Sequence, residues 1–279
     1  MQFPLWVSLT NVFLALTLFS LSLVGTAAIA APASTKDRAA LSQSEPKTNT
    51  MPETSEVIVH PVNMIASNAY LLETPEGLIL VDAGIPFSER QVYRKMREIG
   101  RDDLKLIYIT HAHIDHYGAA NAIREKTGAP IAIHKDDAAT MALGRTELGT
   151  VRDWKRLSDV TLPYIEPLLR VTPTEADILL EDGDSLEEYG INAYVMHTPG
   201  HTPGSTTLIV NDTMAFAGDL VASGRKVHAQ RSYAQDWLEV AQSLVRLAKA
   251  GPEIIYPGHG SEPITLEQLQ NIDPNYVEP

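Results

Sequence analysis

Between Tyr108 and Ala120 the chain reads YITHAHIDHYGAA, which places His111, His113, Asp115 and His116 within six consecutive positions. Imidazole nitrogens and carboxylate oxygens are ligands that zinc and similar divalent cations take. Packed together without a cation, such groups carry a heavy cost in unsatisfied polarity. The cluster follows the apolar run LKLIYIT, which reads as a buried strand. His111 and His113 stand two apart at its end, so in extended backbone they project to one side. Asp115 and His116 open the next helical run, whose first turn swings two more side chains toward the same volume. Gly118 removes bulk where backbone must come close. A solvated histidine-rich loop is the bland alternative, and it leaves unexplained why ligand types recur at the ends of other apolar runs.

They recur in HTPGHTPGS, FAGDL and YPGHG, which set His201, Asp219 and His259 beside the glycine or proline of a tight loop. The chain has no cysteine, so a metal site here is built from nitrogen and oxygen alone, and disulfides are excluded. Each stretch is a weak signal by itself. Together with HAHIDH, and in this order, they resemble the metallo-β-lactamase superfamily of metallo-hydrolases, over about residues 56–263.

The resemblance implies an α/β fold, a four-layer αββα sandwich of two mixed β-sheets flanked by helices. It implies a dinuclear site, two Zn²⁺ per chain with iron or manganese as alternatives, at one edge of the sheets. His111, His113 and His201 would hold the first ion, Asp115, His116 and His259 the second, and Asp219 would bridge them. Counting two dications, two carboxylates and one hydroxide leaves such a centre at about +1, which attracts anions and stabilises an oxyanion. The implied reaction uses a metal-bridging hydroxide, available because the pKa of the shared water falls toward about 7. It would cleave a small carbonyl substrate, an ester, lactone or thioester, with Asp115 as catalytic proton acceptor. Asp82, at the end of LILVDAG, matches a family position that orients a ligand histidine from behind. An ordinary turn cap is the other reading of Asp82.

The subfamilies divide on a few positions. Zinc β-lactamases typically carry cysteine or serine where this chain has Asp219, and several place a carboxylate-binding lysine where it has Ala222, which counts against β-lactam hydrolysis. Glyoxalase-II-like thioesterases keep the aspartate but add a C-terminal helical domain, for which the 20 residues after His259 leave no room. Some lactonases have tyrosine at the position of Ala222. Two other classes stay open: a mononuclear iron enzyme resembling persulfide dioxygenases, with His111, His201 and Asp219 as a two-histidine, one-carboxylate site, and a non-catalytic metal-binding module.

Positioning these residues requires strands that end at one edge. Glu56–Val62, Asn68–Glu73, GLILVDAG, LKLIYIT, PIAIHK, Ile178–Leu180, INAYVMHT, STTLIV, TMAFAG and EIIYP read as strands. Ser88–Ile99, Ile114–Thr127 and Asp236–Ala250 read as helices, and Asn211-Asp212 as a two-residue hairpin turn. Between Asp136 and Asp177 the pattern loosens around Trp154, Tyr164 and several prolines. Alternating strands and helices without a short repeat predict a layered α/β domain.

Other polar residues have plainer readings. His197 lies four before His201, but Pro199, Gly200 and Pro203 exclude the helix that would align them, so a loop or core role is expected. His60 and His134 fall on strands and read as structural. Arg225, Lys226, His228 and Arg231 form a basic group in a chain of net charge −13, either a solvated loop or a clamp for a substrate anion. That net charge argues against nucleic acid as a partner and leaves a small-molecule substrate, an anionic one under the clamp reading.

The first 35 residues carry no charged side chain, and the apolar run ends in Ala28-Ile29-Ala30. Residues 1–30 therefore read as a signal peptide that exports the protein to the periplasm or extracellular space. No Lys or Arg precedes the run, so an uncleaved membrane anchor is the alternative. Residues 31–55, rich in Ser, Thr, Pro and charge, read as a disordered linker, and 56–279 as the catalytic domain. Oligomeric state has no signature in the sequence.

Overall fold

The computed structural model describes residues 56–151, 171–224 and 226–272. The expected leader and linker, Arg225, Trp154 and Tyr164 lie outside the described residues.

The strands follow the apolar runs. In chain order they are β1 (Ile58–Asn63), β2 (Asn68–Thr74), β3 (Gly77–Val81), β4 (Leu104–Ile109), β5 (Ile131–His134), β6 (Thr150–Val151), β7 (Ile178–Leu180), β8 (Ala193–His197), β9 (Thr206–Val210), β10 (Met214–Phe216), β11 (Val221–Ala222), β12 (His228–Ala229), β13 (Tyr233–Ala234), β14 (Ile254–Tyr256) and β15 (Ile264–Thr265). The helices are α1 (Glu89–Ile99), α2 (Ile114–Tyr117), α3 (Ala120–Thr127), α4 (Lys135–Ala142), α5 (Trp237–Ala250) and α6 (Leu266–Gln270).

Two mixed sheets result. The first has six strands in the order β1-β2-β3-β4-β5-β7, antiparallel as far as β3 and parallel beyond it. The second has the order β15-β14-β10-β9-β8. Because side chains alternate along a strand, each sheet buries two faces. Leu72, Ile79, Leu106 and Tyr108 of the first sheet pack against Val195, Leu208, Val210 and Phe216 of the second. On the outer face of the first sheet, Leu71, Leu80, Ile107 and Ile133 cover Val92 and Met96 of α1, Ile123 of α3 and Met141 of α4. On the outer face of the second, Ile209, Ala215 and Ile255 meet Val240, Leu244 and Leu247 of α5. The order is therefore helix, sheet, sheet, helix. Among the described residues no helix is long and apolar enough to cross a membrane.

Polar bonds pin the sheets together near the edge where the site forms. The buried Tyr108 hydroxyl donates to Thr206 Oγ1 at 2.7 Å, and Tyr70 donates to the Pro257 carbonyl at 2.8 Å. Asn68 holds the following loop through its own N–H to Gly258 C=O at 2.7 Å and its side-chain amide to Pro257 C=O at 2.9 Å.

Two expectations need correction. The helix anticipated over Ile114–Thr127 is broken at Gly118 and Ala119. The loop after β3 intrudes there: Ala83 N–H donates to His116 C=O at 2.6 Å and Ala119 N–H to Gly84 C=O at 3.2 Å. A Cβ on Gly118 would lie 2.5 Å from Pro86 Cδ, so only glycine admits this approach. The β9–β10 connection also holds three residues rather than two, since Val210 pairs with Met214. Asn211 and Asp212 still form its turn, both with positive φ, as Asn and Asp tolerate.

Candidate metal centre

Strand ends deliver every candidate ligand to one edge of the sandwich. His111 and His113 follow β4, Asp115 and His116 lie in α2, His201 sits in the β8–β9 loop, Asp219 follows β10 and His259 follows β14. Two groups form, with the ligand atoms inside each no more than 4.8 Å apart: His111, His113, His201 and Asp219 in one, Asp115, His116 and His259 in the other. All but Asp115 and His259 are buried.

Hydrogen bonds on the outer nitrogens decide which lone pairs face inward. His113 Nε2 lies 3.3 Å from the Glu147 carbonyl, which can only accept, so the proton is on Nε2 and the Nδ1 lone pair is free. That Nδ1 stands 3.1 Å from His111 Nε2, close to the ~3.3 Å expected of two nitrogens each ~2.0–2.1 Å from one tetrahedral ion. His201 Nδ1 lies 3.2 Å from Tyr233 C=O, leaving Nε2 to face Asp219 Oδ2 at 3.3 Å. His116 Nδ1 donates to Asp82 Oδ2 at 2.8 Å, so its Nε2 faces Asp219 Oδ1 at 3.2 Å. His259 Nε2 lies 3.3 Å from Asp219 Oδ2 and 3.4 Å from Asp115 Oδ2. Asp219 thus touches both groups.

Burial tests whether these groups fit a cation. His116 Nε2, His201 Nε2 and Asp219 Oδ1 are buried with no hydrogen-bond partner, because their mutual contacts are poorly aligned for one. Orphaned nitrogens and a carboxylate oxygen pointing at one volume are what a dication satisfies.

The protonation tendencies separate the members. Burial, reinforced by His116 and His113, pushes the His111 pKa well below its usual 6.5. Burial and His201 bring His113 down to about 3. Burial also works against charge on His116, but Asp219, Asp82 and Asp115 outweigh it and raise its pKa. His259, likewise opposed by burial, is carried up to about 10 by Asp219 and Asp115. Burial opposes ionisation of Asp115 and Asp219, yet the neighbouring histidines hold both carboxyls below the usual range.

Asp82 sits behind His116 and is itself fixed by Thr110, whose N–H donates to Oδ1 at 2.8 Å and whose hydroxyl reaches Oδ2 at 2.9 Å. Its backbone is left-handed, φ 58°. Three further residues had no distinguishing mark in the sequence. Asp137, buried at the start of α4, accepts from Ala112 N–H, Thr202 Oγ1 and Gly204 N–H, each at 2.7 Å. Burial pushes its carboxyl pKa up, against those three hydrogen bonds. Gln230 sets its side-chain amide 3.0 Å from His201 Nδ1. Thr146 caps the loop, its Oγ1 accepting from Ile114 N–H at 3.0 Å. An aspartate three residues after a strand resembles any helix-start acid, and nothing in a single sequence sets Asp137 apart.

His197 stands apart from both groups, its Nε2 donating to Pro203 C=O at 2.8 Å. It stacks on His134 at 4.1 Å and 9° between rings. Those two and Asp136 form a third set of possible ligands. Stacked rings hold their lone pairs in parallel planes, so one ion cannot lie in both, and this set is a poor chelate. His60 pairs with Glu73 at 2.7 Å and belongs to neither group. Lys226, His228 and Arg231 line a cavity of about 720 Å³ that opens against His259.

The family model described as the metallo-beta-lactamase superfamily matches residues 63–259. The probable metallo-hydrolase YqgX of Bacillus subtilis (strain 168) is 29% identical over 167 residues, 59% of this chain and 70% of that protein. Among solved structures, the B3 metallo-β-lactamase BLEG-1 matches with a TM-score of 0.61 at 24% identity, over 80% of this chain and 100% of that one, a likeness of fold alone. The protein TTHA1623, solved in a di-iron-bound form, matches with a TM-score of 0.57 at 26% identity, over 79% and 98%.

Proposed function

Because the chain belongs to the metallo-β-lactamase superfamily, we propose that it is an exported two-metal hydrolase of a small carbonyl substrate, an ester, lactone or thioester. One observation carries the reading: the Asp219 carboxylate presents one oxygen to His116 at 3.2 Å and the other to His201 and His259, each at 3.3 Å. A carboxylate so placed is shared between two ligand groups. The relatives support it at a coarser level, one named as a probable metallo-hydrolase and one solved with two irons.

In this reading His111, His113 and His201 would hold the first ion, His116, His259 and Asp115 the second, and Asp219 would serve both. Zinc bound there supplies Lewis acidity and water of lowered pKa, about 7, at neutral pH. The chain's own residues do the rest. Asp82 keeps the His116 proton on Nδ1, so that ring offers its inner lone pair, while the Tyr233 carbonyl and the Gln230 amide, 3.2 Å and 3.0 Å from His201 Nδ1, hold the His201 ring in place. Asp115 turns Oδ2 toward His259 and His116, which leaves Oδ1 to accept the proton of attacking water and pass it to the departing group. Its side chain is 19% exposed, enough to meet solvent and substrate. Export rests on the uncharged apolar leader of the sequence.

The test is a substrate panel on purified, zinc-loaded protein: lactones, esters, thioesters, β-lactams and phosphodiesters, with and without chelator. Hydrolysis of a carbonyl substrate that chelator abolishes and zinc restores supports the reading. Oxygen consumption by protein holding one iron would replace it with the dioxygenase-like alternative, and metal-replete protein inert on every class would leave only the binding module.

A further inference from the structure

Gln230 meets His201 from outside the ligand cluster, and its amide can point only one way. Its Oε1 accepts the backbone N–H of Arg231 at 2.8 Å and that of Ser232 at 2.9 Å. A flipped amide would set its N–H₂ against those two donors, so the nitrogen is the atom turned toward His201 Nδ1, at 3.0 Å. An amide nitrogen only donates. This bond therefore asks for a lone pair on Nδ1.

Tyr233 makes the opposite demand. Its carbonyl, 3.2 Å from the same Nδ1, only accepts and would be satisfied by a proton there. All three residues are pinned through their backbones: Gln230 N–H donates to Leu220 C=O at 3.0 Å, Tyr233 pairs with Val151, and Gln235 N–H holds the His201 loop through Gly200 C=O at 2.9 Å. The far side of the ring decides between the two demands. His201 Nε2 is buried without a hydrogen bond and faces Asp219 Oδ2 at 3.3 Å. A proton on Nε2 lies toward a carboxylate and leaves Nδ1 to accept from Gln230. A proton on Nδ1 sets the Nε2 lone pair against a carboxylate oxygen and one N–H against another, in return for a single neutral bond to Tyr233. Contacts to a charged group are about twice as strong as neutral ones, so without a cation the first arrangement wins.

We propose that Gln230 is a positioning residue that holds metal-free His201 with its proton on Nε2, so that uptake of the first ion must clear that proton from Nε2, place one on Nδ1, break the Gln230 bond and engage the Tyr233 carbonyl. The proposal rests on the reading of His201 as a metal ligand, and not on which bond is hydrolysed. A ligand histidine is ordinarily backed by an acceptor that keeps the proton on its outer nitrogen, as Asp82 backs His116. Gln230 puts a donor in that place. It therefore lowers the affinity of the first group for its ion, the reverse of what a residue that merely steadies His201 would do.

The test compares wild type with Gln230→Glu, which keeps one oxygen for Arg231 and Ser232 and turns the other, an acceptor, toward Nδ1. Long-range proton–nitrogen correlation spectra of metal-free protein with isotope-labelled histidine, recorded at mildly alkaline pH, read which His201 nitrogen carries the proton. The proposal predicts Nε2 in wild type and Nδ1 in the variant. Chelator competition should show one of the two zinc constants tightened by ~10-fold or more in Gln230→Glu. A proton on Nδ1 in wild type overturns the proposal, and so does zinc retention that is equal or weaker in the variant. Added charge alone would tighten zinc without moving the proton, so tighter retention with an unchanged tautomer also overturns it. Should wild type take up no zinc, the metal reading is at fault, and the pair of spectra alone decides what Gln230 does: a proton that moves from Nε2 to Nδ1 supports its role, and one that stays overturns it.

Discussion

Asp137 accepts the backbone N–H of Ala112, the residue between His111 and His113, at 2.7 Å. The same carboxylate takes the Thr202 hydroxyl and the Gly204 N–H, both in the loop just after His201. One buried side chain thus ties the two loops that carry three histidines of one ligand group.

Asp137→Asn is predicted to loosen that tie. Both oxygens now accept, and an asparagine turns an N–H₂ toward at least one existing donor, a buried mismatch of about 1–3 kcal/mol. Urea unfolding should show that loss, and chelator competition should show weaker metal retention by ~10-fold or more. Wild-type retention in a destabilised variant would mean that Asp137 serves the fold alone.

Metal loading is predicted to release protons. With His116 raised and His259 at about 10, both rings are charged at neutral pH in the metal-free protein, whereas His111 and His113 are neutral. Binding then expels about two protons per chain. Calorimetry of zinc binding in buffers of different ionisation enthalpy reads the number directly, and a release near zero would contradict the assignment.

The same shifts give the metal-free protein a stability optimum near neutrality. For His259, folded pKa about 10 against 6.5, the stabilising contribution is complete below 6.5 and is lost as pH rises through about 10. For His113, folded pKa about 3, the folded state resists protonation, so stability falls as pH drops from 6.5 toward 3. The Tm of chelator-treated protein should therefore decline on both sides. A Tm still rising at pH 9 would refute the alkaline limb.

His197→Ala is predicted to keep its full metal content. The ring bonds to Pro203 C=O and stacks on His134, so the variant should lose only about 1 kcal/mol of stability. Loss of a metal equivalent would show that the ligand set is drawn wrongly.

Legibility followed physical range. The apolar run LKLIYIT and the two-residue spacing of His111 and His113 after it were enough to put both on one side of a strand end, because both are matters of local geometry. The layered fold was legible for the same reason: long apolar runs such as GLILV stay strands when buried on both faces. Partnerships across 25 to 67 positions, such as Asp137 with Ala112 and Gly204, leave no local trace. The two-residue strands β6, β11, β12 and β13 are too short to carry a period, yet they fix Tyr233 behind His201 and Ala222 beside His259. The break in the α2–α3 run depended on Pro86, a residue of another loop.

The central claim is that Asp219 is shared by two metal ions. Measuring bound metal by elemental analysis on wild type and Asp219→Ala, after loading with zinc and exhaustive dialysis, tests it most directly. The account predicts about two equivalents per chain for wild type and well below one for the variant, because the single carboxylate belongs to both sites. A variant that keeps two equivalents, or a wild type that never exceeds one, would contradict it.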